Sequence, residues 1–117
     1  MKTIIAGSRN LDKPEYVEEA IRECGWEVTG VVSGGARGVD QQGEHYARLN
    51  GLPVFLFPAY GGLHGKAAGA IRNRQMAENA EALIAIWDGQ SKGTKNMIDI
   101  ATRKGLKVYI KTIKEQE

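Results

Sequence analysis

Five short apolar runs, separated by segments of helical period, constrain the fold of this chain more than any other feature. The runs are Thr3 to Ala6, Gly30 to Ser33, Pro53 to Phe57, Ala82 to Trp87 and Leu106 to Ile110. Their β-branched and aromatic content and their glycine or proline boundaries suit strands. Apolar residues stand at consecutive positions instead of alternating, the pattern of strands buried on both faces. Between the first two runs, Val17, Ala20, Ile21 and Cys24 recur at i, i+3, i+4 and i+7 in a helix expected from Pro14 to Cys24. Pro14 suits its first turn and Gly25 its stop. Further helices are expected from Val39 to Asn50, Lys66 to Ala80 and Thr94 to Lys104, the last with Met97, Ile98 and Ala101 on one face and Gly105 at its end.

Strand alternating with helix is the signature of βαβ units and a parallel sheet. Right-handed crossovers leave few orders for such a sheet, and 3-2-1-4-5 is the simplest that covers both faces with helices. The expected fold is a Rossmann-like three-layer α/β/α sandwich with a five-stranded parallel sheet, one domain over residues 1–117. A content of 42% hydrophobic and 26% charged residues agrees with a globular domain and excludes a disordered or fibrous chain.

A formal charge of +2 supplies no global field for nucleic acid or membrane, so any anion site must be local. Cys24 is the sole cysteine, which excludes an intrachain disulfide and a multi-cysteine metal site and fits a reducing compartment. The opening run reaches Gly7 too soon for a signal peptide, and no stretch approaches the ~20 apolar residues of a membrane span. A cytoplasmic protein that uses no membrane, no cofactor and no metal ion is expected. Pro58 to Gly65, with Gly61, Gly62 and His64, is an irregular stretch able to act either as a lid over the strand ends or as an ordinary connection.

The 15 glycines exceed the number expected from average usage, about eight. They gather after the strands, in Gly7-Ser8-Arg9-Asn10, in Ser33-Gly34-Gly35-Ala36-Arg37-Gly38-Val39-Asp40 and in Asp88-Gly89-Gln90-Ser91-Lys92-Gly93-Thr94. A single glycine-rich turn is usually tight-turn chemistry. In the order 3-2-1-4-5, however, these loops converge on the crevice where the strand order reverses, and two of them run directly into helices, whose N-termini attract anions. Gly7, Ser8, Arg9, Ser33, Gly34, Gly35, Arg37, Gly38, Asp88, Gly89, Ser91, Lys92, Gly93 and Thr94 are the phosphate-binding candidates, and Trp87 is a candidate to stack on a base or, equally, a core or rim residue. The spacing matches neither the Walker A loop nor the dinucleotide G-x-G-x-x-G loop.

Gly7-Ser8-Arg9, the Ser33 to Asp40 segment, Ile71-Arg72-Asn73-Arg74-Gln75-Met76 and Gly93-Thr94 together resemble the SLOG superfamily, in order and over nearly the whole chain. That superfamily groups LOG-type nucleotide phosphoribohydrolases with DprA-type single-strand DNA-binding proteins. The likeness is strongest to its small YspA/YpsA-related, DUF2493-type branch. LOG-type enzymes carry an arginine in the helix before strand four and a Pro-Gly-Gly-x-Gly-Thr-x-x-Glu motif after it. Arg72 matches the arginine and Gly93-Thr94 the Gly-Thr pair, but Met97 stands where the glutamate would be and Asp88-Gly89-Gln90-Ser91 replaces the opening Pro-Gly-Gly. N-glycosidic cleavage needs a carboxylate near its oxocarbenium-like transition state.

Asp40 and Glu44, four apart on one helix face, are the substitutes, with Asp99 a further carboxylate after the Gly-Thr pair. Their structural alternatives are a helix-dipole contact for Asp40 and a solvated face for the other two. His45 points away from Glu44. The resemblance thus implies a sensor or carrier for a nucleoside phosphate or ADP-ribose-like ligand. The alternatives it leaves are a hydrolase using Asp40, Glu44 and Arg72 as catalytic residues, and a single-strand DNA binder, against which near-neutral charge and few aromatics speak. It also implies association into a homodimer or other homo-oligomer.

Overall fold

A computed structural model describes residues 1–59 and 65–114 of the chain. Five parallel strands, β1 (Lys2–Gly7), β2 (Gly30–Ser33), β3 (Val54–Leu56), β4 (Ala82–Trp87) and β5 (Lys107–Thr112), form one sheet in the order β3-β2-β1-β4-β5. Helices α1 (Pro14–Glu23), α2 (Val39–Leu49), α3 (Ala68–Glu78) and α4 (Lys92–Arg103) make the crossovers. The doubly wound order expected from the sequence is the order observed.

The central strands carry the core because their pleat delivers apolar side chains to both faces. Ile4 and Ala6 of β1 join Leu83 and Ala85 of β4 in a cluster with Met76 of α3 and Met97, Ile98 and Ala101 of α4. Their neighbours Ile5, Ile84 and Ile86 point the other way, into a cluster with Val17 and Ala20 of α1 and Val39 and Ala47 of α2. The sheet is therefore covered by α1 and α2 on one side and α3 and α4 on the other.

Burial on both faces does not extend to the outer strands, which corrects the reading from consecutive apolar residues. Phe55 and Leu56 of β3 are 37% and 58% exposed, and Ile110 of β5 is 40% exposed. Each of these strands has only one neighbour, so its outer edge meets solvent. β3 is also shorter than expected, although the Pro53 carbonyl and the Phe57 amide continue its pairing to β2.

Helix ends follow local chemistry. Gly25 and Gly105, just beyond α1 and α4, adopt φ of +92° and +79°, the left-handed conformation that ends a helix and that glycine takes without strain. The helix expected from Lys66 begins as a short 3₁₀ turn, Gly65–Ala67, and turns α-helical at Ala68. α4 starts two residues before Thr94 because Ser91 caps it, accepting a hydrogen bond from the Thr94 amide. The Pro58 to Gly65 stretch read as a possible lid falls largely on residues 60–64, outside the described residues. Among the described residues, no helix is long and apolar enough to cross a membrane.

Candidate functional site

β1 and β4 are neighbours whose following helices lie on opposite faces, so their carboxyl ends open a crevice. A cavity of about 400 Å³ occupies this position, a size that suits a small-molecule ligand. The loop after β1 contributes Ser8, Arg9 and Asn10, the entry to α2 contributes Ala36 and Asp40, and the entry to α4 contributes Asp88, Ser91, Gly93 and Thr94. α3 supplies Arg72 and Asn73, and Ala6, Met76 and Met97 add apolar surface.

Close backbone approach explains the glycines that matter here. A Cβ on Gly7 would collide with the Ile86 carbonyl oxygen and lie 2.8 Å from Val39, so only glycine lets the first loop leave the sheet at this angle. Gly38 has a φ of +82°, and a Cβ there would stand 2.5 Å from the Arg9 carbonyl oxygen. The loop after β1 thus lies directly on the start of α2. The Ser8 amide donates to the Ile86 carbonyl at 3.1 Å, and the buried Ser8 hydroxyl accepts from the Asp88 amide at 3.2 Å. These two bonds tie the first loop to the loop after β4.

Asp88 organises that second loop. Its carboxylate accepts hydrogen bonds from the Gln90 and Ser91 amides, both at 2.8 Å. These bonds, the Gln90 one foremost, hold its pKa below the ordinary carboxylate value. α2, in contrast, begins at Gly38 without a side-chain cap. Opening turns of helices carry amides with no intrahelical partner, and two such turns border one cavity.

Arg72 reaches the site from the opposite layer. Its Nη1 donates to the Gly34 carbonyl at 3.0 Å and its Nε to Asn73 Oδ1 at 3.0 Å. Asn73 is buried, and its amide nitrogen donates to Asn96 Oδ1 at 2.9 Å and to the Gly93 carbonyl at 3.4 Å. A continuous chain of hydrogen bonds therefore runs from the loop after β2, through Arg72 and Asn73, to the start of α4.

Asp40 faces the same space. It is buried with 5% exposure, and its Oδ2 accepts from the Ala36 amide at 3.2 Å. Burial pushes its pKa from 3.8 to about 6, against the lowering effects of the Ala36 amide and the nearby Arg72 guanidinium. Glu44 stands behind it, accepting from the Ser33 hydroxyl at 2.6 Å, while that hydroxyl accepts from the Gly35 amide at 3.2 Å. Glu44 is half-buried and engaged, not on a solvated face.

The candidates named from sequence thus divide. Gly7, Ser8, Arg9, Asp40, Arg72, Asp88, Ser91, Gly93 and Thr94 line the cavity. Ser33, Gly34 and Gly38 are buried and lie outside the lining, with Gly34 against the Arg72 guanidinium and the Asp40 carboxyl. Gly35, Arg37, Gly89 and Lys92 are exposed and lie outside the lining. Trp87 also lies outside it: the indole N–H donates to the Ser91 carbonyl at 3.0 Å and the ring packs on the α3 and α4 side of the core. Asp99 is occupied with Lys95 at 2.9 Å. Sequence reasoning passed over Asn10, Asn73 and Met76 as lining residues; the asparagine between two arginines was the available signal for the second. Among the described residues, no group of three or more His, Cys, Asp or Glu comes together as a metal site.

A second cavity of about 330 Å³ lies between α1 and α2, bordered by Ile21, Tyr46 and Leu49. No strand residue lines it. The sequence matches no family model, and no curated protein matches it.

Proposed function

We propose that this chain is a SLOG-type domain that binds a nucleoside phosphate or ADP-ribose-like ligand in the crevice between β1 and β4, as a sensor or carrier. One observation carries this reading. Two helix entries, the loop after β1 and the Arg72 guanidinium converge on a single cavity at the point where the strand order reverses. Helix N-terminal amides and a planar guanidinium are groups that hold phosphate oxygens. Met76, Met97 and Ala6 offer apolar surface for the ligand's uncharged part.

Thermal-shift measurements with AMP, ADP-ribose and NAD test it, because a ligand that binds only the folded state raises its melting temperature. Saturable stabilisation by at least one of them is expected, reduced in Arg72→Ala. No shift with any of them counts against the reading.

A second reading, cleavage of the ligand's N-glycosidic bond, is favoured by Asp40. It lines the cavity and has a pKa of about 6, a value suited to proton transfer near neutral pH. Arg72 would hold the phosphate and Asp40 would supply or accept the proton. Release of free base, abolished in Asp40→Asn while binding persists, is the expected result; binding without base release removes the enzymatic reading alone.

A further inference from the structure

Asp40 occupies an unusual place for a carboxylate. An anion drawn to Arg72 arrives beside it, since both residues line the cavity and both crowd the point where a Gly34 side chain would begin, Asp40 Oδ2 at 3.1 Å. Asp40 and Arg72 do not close into an ion pair among the described residues. The guanidinium, bonded to the Gly34 carbonyl and Asn73 but to no carboxylate among the described residues, attracts an anionic ligand, and the Asp40 carboxylate, if charged, repels it. In a buried setting that repulsion is weakly screened.

The charged groups around Asp40 act in both senses, Arg72 favouring its charged form and Glu44 its neutral form. Glu44, on the same helix, is engaged by the Ser33 hydroxyl. Arg9, from the loop after β1, and Arg72, from α3, both line the cavity. Asp88, from the loop after β4, is held below the ordinary carboxylate value by two amide hydrogen bonds and keeps its charge. Asp40 is the lining carboxylate in which burial already favours the neutral form.

We propose that Asp40 meets the bound anion as a neutral carboxylic acid, donating a hydrogen bond to a ligand oxygen, so that ligand and one proton enter the cavity together. The proton comes from solvent and is held on the Asp40 carboxyl, and no bond of the ligand is made or broken. The inference rests on the cavity's assignment to a phosphate or pyrophosphate ester. It adds that binding is coupled to pH, with the anion favouring the protonated acid and the protonated acid favouring the anion.

Calorimetric titration in two buffers of different ionisation enthalpy counts the protons. ADP-ribose is the first probe, because its pyrophosphate keeps one charge state near neutral pH. AMP is the second, read as the difference between the wild-type protein and Asp40→Asn, since its own phosphate titrates. At about pH 7.5 the wild type takes up about one proton per ligand, falling at about pH 5.5, and its affinity drops about tenfold per pH unit in the upper range. Asp40→Asn takes up none of this proton, and its affinity for ADP-ribose is flat with pH. Binding without proton uptake, or uptake that survives in Asp40→Asn, overturns the inference while leaving the ligand assignment standing. Absence of heat with both probes overturns both. Should Asp40→Asn fail to fold, the wild-type proton count with ADP-ribose at the two pH values decides by itself.

Discussion

Arg72 Nη1 donates a hydrogen bond to the Gly34 carbonyl oxygen at 3.0 Å, joining α3 to the loop after β2 across 38 positions of sequence. Two layers of the sandwich meet at this bond, on the rim of the cavity between β1 and β4. The arrangement depends on the missing side chain at Gly34. A Cβ there would intrude on the guanidinium, with Arg72 Cζ at 2.8 Å.

Gly34→Ala is therefore expected to injure the site more than the fold. The guanidinium is the end of a flexible side chain and can swing aside, so stability changes by about 1 kcal/mol or less. Ligand affinity falls by about tenfold or more, the effect of losing one charge-assisted hydrogen bond. Arg72→Ala gives a loss at least as large, and the two losses do not add in the double variant, because both remove the same placed guanidinium. Calorimetric affinities of the two single variants and the double variant provide the check.

Gly7→Ala has the opposite character. Its Cβ would collide with a backbone carbonyl, that of Ile86, which cannot rotate away. A loss of about 3 kcal/mol in urea unfolding is expected. Gly89→Ala is the comparison, because nothing lies within 4 Å of its Cβ position and only its φ of +83° is unfavourable. That variant loses about 1 kcal/mol. Equal losses at the two positions would contradict the close approach of β1 and β4 at the crevice.

Asp40 imposes a pH dependence on stability. Its folded pKa, about 6, lies above its ordinary value of 3.8. The folded state therefore holds the proton more tightly than the unfolded chain does. This contribution is fully present below pH 3.8 and is lost as pH rises through about 6. The difference corresponds to about 3 kcal/mol. Relative to wild type, Asp40→Asn should gain about that much stability between about pH 4 and pH 7, since Asn cannot ionise and its carbonyl still accepts from the Ala36 amide. Parallel stability profiles for the two proteins would contradict the burial of a titrating carboxyl at this position.

Asn73→Ala tests how Arg72 is held. The buried Asn73 amide accepts from Arg72 Nε and donates to Asn96 Oδ1 and the Gly93 carbonyl. Its removal leaves these partners unmatched and is expected to cost about 2 kcal/mol of stability. Ligand affinity falls as well, and a double-mutant cycle with Arg72→Ala shows coupling in binding. Additive effects on affinity would mean that Asn73 supports the fold without orienting Arg72.

Strand order and helix positions were legible in the sequence because they follow from period and punctuation. Runs such as Ala82 to Trp87, and glycines such as Gly25 and Gly105, are local signals, and right-handed crossovers convert them into a topology. Exposure of Phe55 and Leu56 was not legible in the same way, because a strand's own residues do not reveal how many neighbours it has. Ser8, Arg9 and Asp88 were found as loop residues at strand ends, and the cavity is where those ends meet. Trp87 was a candidate either to stack on a base or to pack in the core, because a strand's last side chain can point to either face, and here it packs toward the core and the Ser91 carbonyl. Glu44 was visible as a partner of Asp40 on one helix face, whereas its bond to Ser33 depends on how closely α2 packs on β2. Such contacts are tertiary, and no residue period encodes them.

The central claim is that the crevice between β1 and β4 holds a nucleotide-derived anion. Its most direct test is an amide chemical-shift titration of the protein with AMP and ADP-ribose. The account predicts saturable shifts concentrated at Ser8, Gly34, Ala36, Asp88, Gly93 and Thr94, lost in Arg72→Ala. Shifts confined to the α1 and α2 groove around Tyr46 and Leu49, or none at saturating ligand, would contradict it.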